Sequence, residues 1–189
     1  CKNRAQRLSR PATGPANRQG SGGHIDSLTE LESWYARENG QYLLASTRRA
    51  VDCALDTAFG YHLLQTGCSR GHALFTNSPI NHRIYAAERP GPQVNLLALA
   101  DELPLESDSI DTVIAHHTLD FARDPHQVLR EIQRILTPQG HLLIVGFNPH
   151  SLLRLNARLR GLSRNSLWHQ HTWVSESRLT DWLRLLGCE

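Results

Sequence analysis

The chain has 189 residues, 40% of them hydrophobic, and a formal net charge of +2. That is enough for one domain with a sizeable core, and the charge balance gives no indication of a nucleic-acid partner. No apolar run approaches the roughly 18–20 residues of a membrane span, and the first residues lack a signal-type apolar stretch, so the expectation is a soluble, cytoplasmic protein without membrane contact.

The four cysteines (Cys1, Cys53, Cys68 and Cys188) form no CxxC pair and no zinc-finger spacing with histidine. Free thiols in a reducing compartment are expected. The chain starts at Cys1 and contains no methionine, so its natural start is expected to lie elsewhere.

Residues 1–24 hold Lys2, Arg4, Arg7, Arg10 and Arg18, no acid, and several prolines and glycines. Such a segment buries too little to order itself and reads as a basic tail ahead of a domain over 25–189. Ser27 to Glu30 has the S-x-x-E capping-box form. Leu28, Leu31, Trp34 and Tyr35 then share a helical face, with Gly40 expected to end that helix. A second helix is predicted over about 41–57, with Leu44, Val51, Ala54 and Leu55 facing inward.

The period then changes. Tyr61–Thr66 reads as a buried parallel strand running into Gly67-Cys68-Ser69-Arg70-Gly71. His82–Ala87, Val94–Leu99, Ile110–Ala115 and His141–Phe147 are the next four predicted strands. Between the last two, Asp124 is a good N-cap, Pro125 suits the first helical position, and Val128, Leu129, Ile132, Ile135 and Leu136 form one apolar stripe. Pro138 and Gly140 are expected to stop that helix. Strand–helix–strand with this spacing is a βαβ unit, hence a parallel sheet with right-handed crossovers. Beyond it, Leu179, Trp182, Leu183 and Leu186 recur at helical spacing, and Gly187 is the expected C-cap.

The glycine turn after the first strand lets backbone approach a ligand, and a helix N-terminus behind it would add free N–H groups for an anion. Ala100-Asp101-Glu102-Leu103-Pro104-Leu105 follows the third strand. His116-His117-Thr118-Leu119-Asp120-Phe121 and Asp124-Pro125 follow the fourth. Leu129-Arg130-Glu131-Ile132-Gln133-Arg134-Ile135-Leu136-Thr137-Pro138-Gln139-Gly140 completes the block.

This block resembles the class I S-adenosylmethionine-dependent methyltransferases of the type 11 group, most specifically over 97–146. The resemblance implies a Rossmann-like α/β fold: an open parallel sheet of order 3-2-1-4-5 with helices on both faces. Strands six and seven of that fold would fall beyond this chain, which leaves the outer edge of strand five unpaired. The resemblance also implies S-adenosyl-L-methionine as cofactor, held by Gly67, Cys68, Gly71, Glu88, Asp101, Glu102, Leu103 and His116. Catalytic roles fall to His116 and His117, because histidine titrates near neutral pH and one of them could take a proton from the acceptor. The acceptor is not named by the sequence, and a small molecule is favoured.

The chain departs from the family pattern at three places. Gln65 stands where the first strand usually ends in an acid, Ser69 replaces the middle glycine, and Leu99 replaces an acid five positions before Pro104. The segment between Gly71 and Val94 is short, leaving little helix between strands two and three. These departures keep open a degenerate, non-catalytic binding or scaffold module. The glycine pattern is poor for a dinucleotide, which disfavours a nicotinamide oxidoreductase. His169-x-His171 near His150 lacks an acid or thiol at motif spacing, so no metal site is expected. Asn148 is a candidate substrate wall. Arg154, Arg158, Arg160 and Arg164 read as a solvated helix face with an anion-facing side as the alternative.

Overall fold

The computed structural model of the protein describes residues 29–67, 72–147 and 176–185. Five short apolar segments pair in parallel: β1 (His62–Gly67), β2 (His82–Ala87), β3 (Leu96–Leu97), β4 (Ile110–His116) and β5 (Leu136–Val145). Their order is β3-β2-β1-β4-β5, as the sequence predicts. Among the described residues, β5 pairs with β4 alone.

Alternation along the strands sorts side chains to two cores. Leu63, Tyr85 and Ile114 join one core, and Leu64, Ala86, Val113 and Ala115 join the other. The first is covered by the helix at residues 29–35 (α1) and by α2 (Glu38–Leu55), through Leu31, Tyr35, Leu44, Val51 and Leu55. The second is covered by α4 (Pro125–Ile135), with Leu179, Trp182 and Leu183 of α5 (Glu176–Leu185) packed against it. A short α3 (Thr118–Phe121) follows β4 directly. No described helix is long and apolar enough to cross a membrane.

The start of α4 follows from its sequence. The Asp124 carboxylate accepts from the His126 and Gln127 backbone N–H groups, Pro125 occupies the first turn, and Val128, Leu129, Ile132 and Ile135 are buried. A cap of this kind is worth about 1 kcal/mol.

Several boundaries differ from expectation. Gly40 does not end α1; it is buried in the first turn of α2, where a Cβ would lie 2.3 Å from the Trp34 carbonyl oxygen. The absent side chain lets the end of α1 lie against α2. Pro138 and Gly140 do not stop α4 either. The chain turns to extended backbone at Leu136, and residues 137–140 form an irregularity in β5, since Leu136 pairs with Ile110 and His141 with Thr112. Proline fits such an interruption of the ladder. β3 is two residues long rather than six.

The largest difference concerns the connection from β1 to β2. Residues 72–81 contain no helix, and neither do residues 88–95 between β2 and β3. Ala73, Leu74, Phe75 and Ile80 instead bury themselves in the α1/α2 core as irregular chain. The helix expected behind the glycine turn is therefore not found in these residues. The expected tail boundary at 24/25, the Ser27 cap, Leu28, Asn148, His150, the 154–164 arginines, His169, His171, Leu186 and Gly187 all lie outside the described residues.

Candidate cofactor-binding site

A cavity of about 300 Å³ opens where the carboxyl ends of the strands meet. Ligands of open α/β sheets bind at this position. Thr66 and Gly67 come from the end of β1, Ala87 and Glu88 from the end of β2, and residues 98–101 from the turn after β3. His117 and Thr118 come from the end of β4, with Phe121, Ala122, Arg123 and Val128 closing the remaining wall.

Gly67 sits at the centre of this arrangement. Its φ is +118°, and a Cβ there would fall 1.9 Å from the His116 carbonyl oxygen and 2.9 Å from Thr118 Oγ1. Thr118 Oγ1 in turn donates to the Thr66 carbonyl at 2.9 Å, tying the ends of β1 and β4 together. Only glycine combines this backbone with so close an approach.

Four expected residues line the cavity: Gly67, Glu88, Asp101 and His117. Cys68 and Gly71 lie outside the described residues. Three expected residues do not line it. Leu103 is buried in the α4 core, Glu102 is exposed and its N–H donates to the Leu99 carbonyl at 3.2 Å, and His116 is wholly buried behind the wall. The 99–102 turn places both Leu99 and Asp101 on the cavity. An acid is thus present on this wall two positions after the one the family pattern uses.

Sequence reasoning missed Thr118 and Arg123. Thr118 carries no motif signal of its own and is recruited by the parallel pairing of β1 with β4. Arg123 lies just ahead of the Asp124 cap, so the signal that located α4 also locates it.

The Leu-Arg-Glu-x-x-Arg motif proves to be a support for the turn. Glu131 Oε1 accepts from the Leu103 N–H at 2.8 Å, while Arg134 donates to the Leu103 and Leu105 carbonyls at 3.0 and 2.9 Å. The two side chains also pair at 2.7 Å. The hydrogen bond from Arg134 holds the Glu131 carboxyl below the usual range, and the Leu103 N–H adds to this against the opposing effect of burial.

Behind the cavity lies a buried polar cluster. His117 Nδ1 is 2.7 Å from Asp120 Oδ2, His117 Nε2 is 2.6 Å from the Tyr35 hydroxyl, and His116 Nε2 is 3.5 Å from the same hydroxyl. Burial, reinforced by the charges of His117, His72 and Arg48, holds His116 well below the ordinary histidine range. It is therefore neutral near pH 7. Among the described residues no cluster of three or more histidine, cysteine or acidic side chains could hold a metal.

A family model for a methyltransferase domain, that of the type 11 group, matches residues 55–144. The uncharacterized protein YafS of Escherichia coli (strain K12) is 32% identical over 146 residues, which cover 75% of this chain and 60% of that protein. Malonyl-[acyl-carrier protein] O-methyltransferase of Methylovorus sp. (strain MP688) is 33% identical over 81 residues, 43% of this chain and 25% of that protein. The chain thus spans less than two thirds of the length of either relative. A SAM-dependent methyltransferase from Thermotoga maritima has the same fold, with a TM-score of 0.68 at 23% identity, over 87% of this chain and 79% of that one. Residues 55–144 thus match the methyltransferase domain of the type 11 group, and the 3-2-1-4-5 parallel sheet has the fold of a SAM-dependent methyltransferase.

Proposed function

We propose that the cavity binds S-adenosyl-L-methionine and that the protein transfers its methyl group to an acceptor, a small molecule being favoured. The observation that carries this reading is Gly67, whose missing Cβ brings bare backbone to the cavity where the ends of β1 and β4 meet. The lining fits the cofactor in kind. Glu88 and Asp101 offer carboxylates to hydroxyl and amino groups, and Leu99, Ala98, Ala100 and Val128 offer apolar contact to a planar ring. The volume also falls at the lower end of that usual for small-molecule sites.

When bound, the cofactor supplies an activated methyl group on a sulfonium centre. The protein's share is alignment, which can lower a barrier by roughly 7–11 kcal/mol in favourable cases. In this reading Gly67, Cys68, Gly71, Glu88 and Asp101 hold the cofactor, Glu131 and Arg134 fix the turn that carries Asp101, and His117 stands on the acceptor side.

A second reading is a non-catalytic binding or scaffold module. It is favoured by residues 72–81, which lack the helix whose N-terminus would help hold an anionic group. Calorimetric titration with S-adenosylmethionine, S-adenosylhomocysteine and NAD separates the two. Micromolar binding of both methyl-cycle ligands and none of NAD supports the methyltransferase. Absence of all three from folded protein supports the module, and tight NAD binding overturns both.

A further inference from the structure

Tyr35 lies 82 positions before His117, yet their side chains share the shortest of the hydrogen bonds in the buried cluster, at 2.6 Å. Resting on the methyl-transfer reading, we propose that His117 is the base for a protic acceptor and that Tyr35, on α1, masks that base until the acceptor arrives.

The direction of the hydrogen bonds follows from what each group can do. The Asp120 carboxylate accepts from the Phe147 backbone N–H at 3.0 Å and from His117 Nδ1 at 2.7 Å. His117 Nδ1 therefore carries a proton, and in the neutral ring Nε2 keeps its lone pair. The Tyr35 hydroxyl donates to that lone pair. This is the arrangement in which a carboxylate fixes an imidazole tautomer and leaves the far nitrogen basic.

The ring is also clamped. Phe147 stacks on it with centroids 4.2 Å apart, and the His117 N–H donates to the Val145 carbonyl at 2.7 Å. His117 has a φ of 55°, in the left-handed region that non-glycine residues seldom occupy. Backbone strain of this kind persists where surrounding contacts over-determine it and is concentrated at functional sites. His117, 2% exposed, lines the cavity, and Tyr35, 1% exposed, is not part of the lining. His117 thus borders the ligand site while its Nε2 points at a group supplied by another helix.

The charged and titratable groups around it come from every neighbouring element. Tyr35 from α1, His116 from β4 and Asp120 from α3 contact His117 itself, while His72 of the irregular connection lies against Tyr35 and His116, and Arg48 of α2 acts on His116. Of these, Asp120 is the acid that hydrogen-bonds the His117 ring.

In the reaction, the acceptor's X–H takes the place of the Tyr35 O–H at His117 Nε2. The acceptor heteroatom forms its bond to the methyl carbon as the S–C bond breaks with its electron pair left on sulfur. The acceptor proton passes to His117 Nε2, and the imidazolium rests against Asp120. This arrangement serves an alcohol, a phenol or an ammonium group, which must lose a proton, and adds nothing for a carboxylate already ionised.

The test needs neither cofactor nor acceptor, so failure of cofactor binding leaves it readable. The full chain is labelled with 15N-histidine and titrated by NMR from about pH 5 to pH 8. His62 and His82, a hydrogen-bonded pair at the amino-terminal ends of β1 and β2, away from the cavity, serve as internal controls. The expected result is an Nδ1–H tautomer for His117 and, in Tyr35→Phe, a higher midpoint with the controls unmoved, because the donor that stabilised neutral Nε2 is gone. Asp120→Asn should lower the midpoint. An Nε2–H tautomer in the unsubstituted protein overturns the proposal, even if the variants fail to fold. A His117 midpoint indifferent to Tyr35→Phe also overturns it.

Discussion

Gln65 Nε2 donates to the His72 carbonyl at 2.9 Å, so a side chain at the end of β1 satisfies the backbone beyond the glycine turn. Its Oε1 accepts from the Leu74 N–H at 2.8 Å, and Gln65 is fully buried. An ionised acid at this position, as the family pattern has it, could accept but not donate. The amide and the non-helical 72–81 connection therefore belong together: without a helix, the His72 carbonyl needs a side-chain donor.

From this geometry, Gln65→Glu should destabilise the protein by at least about 1–3 kcal/mol at neutral pH, since it buries a carboxylate and strips the His72 carbonyl of its donor. A buried carboxyl has a raised pKa, so the folded state holds its proton above the pH at which the unfolded chain loses it. The penalty should shrink as pH falls, because the introduced carboxyl, once protonated, can donate to that carbonyl again. Urea unfolding at a series of pH values reads both effects, and a pH-independent loss would contradict this account.

At Gly67, even a methyl group meets the His116 carbonyl oxygen. Gly67→Ala should cost at least about 1–3 kcal/mol of backbone strain and push β1 away from β4. Thermal unfolding measures the first, and loss of S-adenosylmethionine binding in the remaining folded protein measures the second. Unchanged cofactor affinity would remove Gly67 from the proposed site.

The depressed Glu131 carboxyl has a consequence for acid stability. Its folded pKa lies below that of the unfolded chain, so its contribution is complete above the ordinary glutamate pKa of about 4.3 and fades as pH falls through the folded value. Glu131→Gln should flatten the acid limb of a stability–pH curve while loosening the Leu103 turn. An acid limb of unchanged slope would show that the Glu131–Arg134 pair adds little to folding.

His116 acts through the opposite protonation chemistry but with the same sign. Buried neutral, it does not take up the proton that the unfolded chain binds below about pH 6.5, so stability falls as pH drops below that value. His116→Gln should reduce that slope, as followed by chemical unfolding between about pH 5 and pH 7. A slope that is unaffected would place the titrating group elsewhere.

Periodicity and caps determined much of this protein. The 3.6-residue stripe of Val128, Leu129, Ile132 and Ile135 and the Asp124-Pro125 start locate α4, because both signals are local in the chain. Short apolar runs locate β1, β2 and β4 and, with the βα spacing, their parallel order. Gly67, Glu88, Asp101 and His117 were legible for a similar reason: each lies at the carboxyl end of a strand or within four residues of it, at the end where ligands bind such sheets. The sequence could not separate His116 from His117, since adjacent residues differ only in which face of the structure they reach. One is sealed in the core, and the other turns through a left-handed backbone onto the cavity. The role of Gln65, the extended course of 137–140 and the pairing of Tyr35 with His117 were likewise decided by the tertiary structure. Each depends on partners 7 to 82 residues away, and hydrogen bonds at that range leave no period in the chain.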